Sequence, residues 1–350
     1  MNPSRLSGPA LPLAILALAS LCLRGAWAES FDDAQSQHIE HPDWFQATPF
    51  NDLEGVLDEA RSAEKKGLMV LFTTEGCSYC ERFIRTSLGD PGLAARVQAN
   101  FATVGLEIFD DREMTTPHGD AMPVKHFAQR EGAGFAPTLL FYGEGGKRLV
   151  RQVGYQSPER FSRILDYLLD GHAEEESLRD YFRRIGEHNT KTDGPADLKD
   201  DPLFIPPPYA LDRSRFAAEQ PLLLIFEKAG CKACNVFHSD VLAMPEIRKL
   251  LGQFEVVRLD VKDEKTRVVA PDGRRTTAAA WFEQTSFSRL PALLFFDERG
   301  TQVLHTDALV GRARMLNSVH FVLQRAYEKD WTYQRFARSR AIEKLNQKSQ

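Results

Sequence analysis

The sequence contains an internal repeat. Cys231 follows Cys77, and Cys234 follows Cys80, by 154 residues in each case. The same offset superposes further identical pairs, which begin in the first copy at Phe72, Gly76, Phe83, Pro91, Gly119, Pro137, Phe141 and Gly146. An ungapped register over about 75 residues predicts two copies of one domain. The length of 350 residues fits this interpretation, because one domain commonly has about 150 residues.

Each copy has the same order of predicted elements. An apolar strand at 68–72, with its counterpart at 222–226, leads directly to the cysteine pair. Uniformly apolar runs are typical of a central strand that is covered on both faces. After the helix that opens at the cysteines, the predicted elements are 101–106, 124–130, 138–142 and 158–169 in copy one, and 254–259, 277–284, 292–296 and 314–326 in copy two. This order predicts the α/β class, with a mixed central sheet flanked by helices in each of two tandem domains.

The segment between the copies is polar and rich in proline. Residues 187–213 contain three consecutive prolines, Pro206 to Pro208, and several charged side chains, which is typical of a semi-stiff linker. We therefore predict a first domain at 29–186 and a second domain with a C-terminal tail at 214–350. Residues 29–45 and the basic tail after Trp331 are expected to be peripheral, with Trp331 and Phe336 as the residues that would dock the tail on the second domain.

Residues 1–28 have the pattern of a secretory signal peptide. Arg5 precedes an uncharged apolar run at 11–23, and Ala26 and Ala28 provide the small residues that a signal peptidase needs. A run of 13 residues is short for a membrane span, which disfavours a permanent anchor. Lipidation at Cys22 is disfavoured by the bulky Leu21 before it. A periplasmic protein, with no membrane insertion after signal removal, is the expectation.

Four cysteines remain after signal removal, as two C-x-x-C pairs in a compartment where disulfides can form. Cysteines three apart at a helix start lie on one face, close enough to bridge. The first of each pair sits at the helix N-terminus, which stabilises its thiolate, and the second can resolve a mixed disulfide. We therefore predict Cys77 and Cys231 as nucleophiles and Cys80 and Cys234 as resolving thiols.

Two other roles for these cysteines are disfavoured. A purely structural disulfide seldom uses C-x-x-C after a buried strand, and a shared zinc ion would need ligands from separate copies. His238 follows the second pair, but Ile84 stands at its counterpart, so we predict a solvated helix face for His238 and surface positions for His118 and His126. No metal or other cofactor is expected. The net charge of −5 disfavours nucleic acid as a partner.

A proline follows each first cysteine by 60 residues, at Pro137 and Pro291, immediately before an apolar strand. Because proline lacks an N–H for a sheet ladder, this position indicates a special geometry. A cis X-Pro bond would satisfy it, and would expose the backbone of Ala136 and Leu290 for pairing with an extended peptide. These four residues are the predicted substrate-binding set.

The order of strand, Gly-Cys-x-x-Cys helix and X-Pro strand resembles the thioredoxin superfamily in both halves. More narrowly, the longer segments at 108–122 and 261–276 are similar to those of periplasmic thioredoxin-related proteins linked to sulfur-oxidation gene clusters. The resemblance covers roughly residues 50–172 and 212–328. It implies a thioredoxin fold, thiol–disulfide exchange at both pairs, cis-prolines, and a membrane electron donor.

The sequence also departs from thioredoxin, whose motif is Trp-Cys-Gly-Pro-Cys. Gly76 and Gly230 stand in place of that Trp, the inner dipeptides are Ser78-Tyr79 and Lys232-Ala233, and the buried acid of the proton relay has no clear match. Lys232 is predicted to stabilise the neighbouring thiolate, and Tyr79 to contact substrate.

The function that follows is a secreted thiol–disulfide oxidoreductase that acts on protein disulfides, with a reductase-like direction favoured. Two alternatives stay open at this point. One is a chaperone or binding module with idle cysteines, and the other is a metallochaperone that holds Cu(I) between two thiolates.

Overall fold

The computed structural model describes residues 31–35, 38–47, 51–186 and 200–348. The predicted signal peptide and residues 187–199 of the predicted linker lie outside this part of the chain. None of the helices in the described ranges is both long enough and apolar enough to cross a bilayer.

The first repeat has six helices and six strands among its described residues. They are α1 (Leu53–Ser62), β1 (Gly67–Thr73), α2 (Ser78–Phe83), α3 (Pro91–Asn100), β2 (Phe101–Glu107), β3 (Glu113–Thr115), β4 (Ala121–Pro123), α4 (Val124–Arg130), β5 (Thr138–Gly143), β6 (Arg148–Val153), α5 (Pro158–Leu169) and α6 (Leu178–Arg184).

The second repeat has the same succession from its central strand to its long helix, with a further helix at the C-terminus. Its elements are β7 (Tyr209–Ala210), β8 (Leu222–Glu227), α7 (Lys232–Phe237), α8 (Pro245–Leu251), β9 (Glu255–Asp260), β10 (Arg267–Val269), β11 (Arg275–Thr277), α9 (Ala278–Glu283), β12 (Ala292–Phe296), β13 (Gln302–Thr306), α10 (Arg312–Leu323) and α11 (Tyr333–Lys348).

The two main sheets have the same topology. Their strand orders are β2-β1-β5-β6 and β9-β8-β12-β13, with one parallel and two antiparallel pairs in each. Every residue of β1 and β8 is buried, as expected for central strands with helices on both faces. The predicted α/β class and mixed sheet are confirmed.

The longer segment of each repeat forms a β-hairpin. In the first repeat β3 pairs with β4, and in the second β10 pairs with β11 and with the short strand β7. The chain turns at Gly119 (φ 83°) and Gly273 (φ 80°), in the left-handed region that glycine adopts readily. The strands themselves were not predicted, because three-residue strands carry too little alternation to detect.

The C-terminal tail is part of the core, so the expectation that it is peripheral is wrong. Tyr333 and Phe336 of α11 are 6% and 4% exposed and pack on Phe321 of α10. Phe135, from the loop before β5 of the first repeat, stacks on Tyr333 with ring centroids 4.4 Å apart. Helix α11 therefore docks on the second repeat, as expected for Phe336, and also joins it to the first.

Candidate active site

Each cysteine pair lies at the start of a helix that follows the central strand. Cys77 is the N-cap of α2, and its Sγ accepts a hydrogen bond from the Cys80 N–H at 3.1 Å. Cys231 caps α7 in the same way, with the Cys234 N–H at 3.1 Å. Both pairs form disulfides with Cα atoms 5.2 Å apart. We call Cys77 with Cys80 centre one, and Cys231 with Cys234 centre two.

The residue before each pair must be able to turn the chain. Gly76 and Gly230 have φ of 79° and 69°, a left-handed conformation in which a bulky side chain would be strained. Glycine adopts this conformation at the least cost, which accounts for its presence at both positions. Beyond each helix, a π-helical turn follows at Ile84–Leu88 and at His238–Leu242, so the local geometry repeats along with the sequence.

The peptide bonds Ala136–Pro137 and Leu290–Pro291 are cis, as the sequence predicts. Thr138 of β5 lies opposite Phe72, and Ala292 of β12 lies opposite Phe226. Both prolines therefore lie at the same end of the sheet as the cysteines, where the central strand finishes. At centre one, Ala136 and Cys77 line one cavity of about 100 Å³.

The charges around the two centres differ. At the repeat offset, Thr74 and Ser78 of the first copy are replaced by Lys228 and Lys232. Burial lowers the pKa of Lys228, and repulsion by Lys262 lowers it further. The cavity at centre one is lined by the carboxylates of Asp33 and Glu75 together with the guanidinium groups of Arg314, Arg338 and Arg340.

His238 does not lie on a solvated helix face, so that prediction is wrong. Its Nε2 lies 2.8 Å and 2.9 Å from the two carboxylate oxygens of Glu227, which is fully buried at the end of β8. A buried carboxylate requires a hydrogen-bond partner, and this need positions the imidazole. In the sequence, the sign of this pair is that an acidic residue, Glu227, ends an otherwise apolar strand and therefore needs a partner. His118 and His126 are exposed, as predicted.

Tyr79, the predicted substrate contact within centre one, is buried against the second repeat. Its hydroxyl donates to Asp33 Oδ2 at 2.7 Å and accepts from the Gly311 N–H at 2.8 Å. Burial raises the pKa of the Tyr79 phenol above its ordinary value. The Asp33 carboxylate also accepts from the N–H groups of Ala313 and Arg314, at the start of α10. Within the segment 29–45 that was expected to be peripheral, Asp33 therefore connects the two repeats beside centre one, and for this residue the expectation is wrong.

Arg314 of α10 also reaches the first repeat. Its guanidinium lies 3.7 Å from the centroid of the Tyr79 ring and donates to the Ala136 carbonyl at 3.1 Å. The Oε1 of Gln334, on α11, accepts from the Ala136 N–H at 3.3 Å. Sequence reasoning missed both residues.

A signal for Arg314 was available in the repeat, because Arg160 is its counterpart at the same offset. Both side chains are buried, 8% and 5% exposed, and each contacts the proline loop of the opposite repeat. Arg160 donates to Ser288 Oγ at 3.3 Å, two residues before Leu290. The two arginines thus make a reciprocal contact between the repeats.

The family model described as Thioredoxin-like domain matches residues 53–169 and again residues 211–322. Solved structures that resemble the chain include a thioredoxin-fold protein from Helicobacter pylori (22% identity, 36% of this chain and 83% of that one, TM-score 0.31). The C-terminal domain of DsbD from Neisseria meningitidis is similar at 14% identity over 34% of this chain and 92% of its own, with a TM-score of 0.25. Human ERp44 is similar at 11% identity over 82% and 60%, with a TM-score of 0.23. No curated protein sequence matches the chain.

Proposed function

The chain belongs to the thioredoxin-like domain family, and from this premise we propose that it is a thiol–disulfide oxidoreductase with two redox centres. The observation that carries the proposal is the position of Cys77 and Cys231 as helix N-caps. In each, the sulfur accepts the backbone N–H of its partner cysteine at 3.1 Å. The same N–H and the helix dipole stabilise a thiolate on that sulfur when the pair is reduced.

The reaction proceeds by two exchanges of sulfur bonds. The thiolate of Cys77 or Cys231 attacks one sulfur of a substrate disulfide, and the other substrate sulfur leaves as a thiolate that takes up a proton. Cys80 or Cys234 then loses its proton and attacks the mixed disulfide, which releases the second substrate thiol. The substrate gains two electrons, and the centre is left as the intramolecular disulfide.

Substrate recognition is assigned to the residues at each cis-proline. An extended peptide pairs with backbone groups of a strand edge, and side chains beside it add selectivity. In this role Ala136 with Pro137 serves centre one, and Leu290 with Pro291 serves centre two.

The setting that we propose is the periplasm, with protein disulfides as substrates and a membrane protein as the source of electrons. The apolar run and small residues at 11–28 support export, and the resemblance to periplasmic thioredoxin-related proteins supports a reductase-like direction. The sulfur-oxidation association belongs to the same proposal.

Reduction of insulin disulfides by the purified protein, with dithiothreitol as electron source, tests the activity. Cysteine-to-serine replacement at all four positions 77, 80, 231 and 234 is the control for background reduction. Turnover by the wild type and none by the control supports the proposal. Binding of unfolded protein without turnover would favour the binding module, and stoichiometric Cu(I) capture without exchange would favour the metallochaperone.

A further inference from the structure

The backbone of Ala136 is the surface that an incoming peptide would use at centre one, and the protein already occupies it. The Ala136 carbonyl accepts from Arg314 at 3.1 Å, and its N–H donates to Gln334 at 3.3 Å. Both partners come from the second repeat and its C-terminal helix, 178 and 198 residues away in sequence. A substrate strand would have to displace both side chains to make its own hydrogen bonds.

The space beside centre one is also closed by packing. The Tyr79 hydroxyl is hydrogen-bonded to the Asp33 carboxylate and the Gly311 N–H, and the Arg314 guanidinium stacks on the Tyr79 ring. Ser78 and Tyr79, the residues between the two cysteines, are both buried. The remaining cavity of about 100 Å³ holds a few small molecules the size of water, but no polypeptide segment.

Centre two has the opposite surroundings. Lys232 and Ala233, between its cysteines, are exposed, and so is the apolar side chain of Val236 (46%) one turn along. Leu290 and Pro291 are half-buried, where Ala136 and Pro137 are buried. Among the residues that the structure describes, none makes a hydrogen bond to the backbone of Leu290.

From this contrast we propose that centre two is the one that exchanges disulfides with protein substrates, and that Arg314 and Gln334 exclude extended peptides from centre one. The two residues are specificity determinants that act by occupying the peptide's backbone partners. The inference rests on the proposed oxidoreductase function, which it deepens by assigning the substrate-facing centre.

The first measurement needs no turnover. The reduced full-length protein is labelled with iodoacetamide, which is small, or with a polyethylene-glycol maleimide, which is bulky, and Cys77 and Cys231 are quantified separately by mass spectrometry. We expect the bulky reagent to label Cys231 at least about tenfold faster than Cys77. The reason is that one hydrogen bond from a charged group, such as that of Arg314 to Ala136, lowers the population of the open state of centre one by about that factor. The variant Arg314→Ala/Gln334→Ala should raise the bulky labelling of Cys77 by about tenfold and leave that of Cys231 unchanged.

The second measurement uses peptide exchange with one centre at a time. Cys77→Ser/Cys80→Ser leaves centre two, and Cys231→Ser/Cys234→Ser leaves centre one; each is assayed with a synthetic peptide disulfide. We expect full turnover from centre two, at least about tenfold less from centre one, and recovery of centre one when Arg314→Ala and Gln334→Ala are added. Arg312→Ala is the matched control, because this exposed arginine lies on the same helix and pairs with Glu246 instead.

The possible outcomes separate the two claims. Equal labelling of both cysteines by the bulky reagent in the wild type overturns the exclusion. The exclusion is also overturned if the Gln334→Ala protein keeps its circular dichroism and melting temperature but its Cys77 is labelled by the bulky reagent no faster than in the wild type. This milder variant serves if loss of the buried Arg314 prevents folding. If Cys231 is labelled faster than Cys77 but neither centre exchanges disulfides with the peptide, the proposed oxidoreductase function is wrong, while the exclusion of peptides from centre one by Arg314 and Gln334 is supported.

Discussion

Gly311→Ala is predicted to loosen the contact between the repeats at centre one by steric means alone. The backbone of Gly311 has φ −91° and ψ −170°, which alanine adopts without strain. The added Cβ, however, would lie 2.7 Å from Asp33 Oδ2 and 2.9 Å from the Tyr79 hydroxyl, closer than such atoms approach. The carboxylate and the hydroxyl must therefore both move, by about 0.7 Å and about 0.5 Å, to restore ordinary contact.

The cost follows from what those two groups hold. Asp33 accepts hydrogen bonds at 2.7 Å from Tyr79, 2.9 Å from the Ala313 N–H and 3.0 Å from the Arg314 N–H. Overpacking typically costs about 1–3 kcal/mol, and weakening one charge-assisted hydrogen bond about 1 kcal/mol more. We expect a loss of about 2–4 kcal/mol in the free energy of unfolding, or about 1 M in the urea midpoint for a slope near ~3 kcal/mol per M.

Urea unfolding of the oxidised protein, followed by circular dichroism, measures this loss, and bulky labelling of Cys77 in the reduced protein reports the opening. Gly145→Ala is the matched control, because no atom lies within 4 Å of its Cβ and its φ is not positive. The control should change stability by less than about 1 kcal/mol. A Gly311→Ala protein with an unchanged urea midpoint and unchanged Cys77 labelling would refute the steric reasoning.

Three further predictions concern other contacts. His238→Ala leaves the buried carboxylate of Glu227 without its imidazole and should lower the free energy of unfolding by about 2–3 kcal/mol in urea titrations. Asp201→Asn removes a carboxylate whose pKa the Arg248 guanidinium lowers from 3.8 to about 2; the wild type should gain about 1 kcal/mol over the variant as pH rises from about 2 to about 4, seen in melting temperature against pH. Lys232→Ser, which copies the first repeat, should reduce the thiolate fraction of centre two about twofold at low salt, measured by ultraviolet absorbance.

Each of these predictions has an outcome that contradicts it. For His238→Ala, addition of Glu227→Gln should recover part of the loss, and no recovery would mean that the carboxylate is not the cause. For Asp201→Asn, the folded pKa lies below the unfolded one, so the stabilisation is present above about pH 4 and disappears below about pH 2. A gap that persists at pH 2 would contradict the linkage. For Lys232→Ser, an effect that survives high salt would rule out a simple charge interaction.

Elements with local start signals were predicted well from the sequence. Helix α5 begins at Pro158, as predicted, because Ser157 caps it and proline suits the first helical position. Helix α10 was predicted two residues late. Its N-cap is Gly311, which has no side chain to accept a hydrogen bond, and the carboxylate that serves its first turn comes from Asp33. No local pattern could reveal a cap that lies 280 residues away.

The arrangement of both redox centres could likewise be predicted from local sequence features. The cysteines, the glycines before them and the cis-prolines act within a few residues of chain, so their spacing in each repeat predicts their geometry. The occupation of the Ala136 backbone by Arg314 and Gln334 could not be predicted, because it depends on which surfaces of the two similar domains face each other. Asp33, Arg314 and Gln334 carry no motif, and only the coincidence of Arg160 with Arg314 at the repeat offset hinted at the contact.

The repeat alone is enough to predict two domains of one kind, each with a strand, a cysteine pair at a helix start and a cis-proline. Those features depend on short-range backbone geometry that each repeat carries in full. The inner dipeptides already distinguish the two centres in sequence, but their different access to a peptide follows only from the packing of the repeats. Side chains of α10 and α11 hydrogen-bond to the backbone of Ala136 at centre one, whereas no described residue does so at Leu290 of centre two, and this difference depends on how the repeats pack.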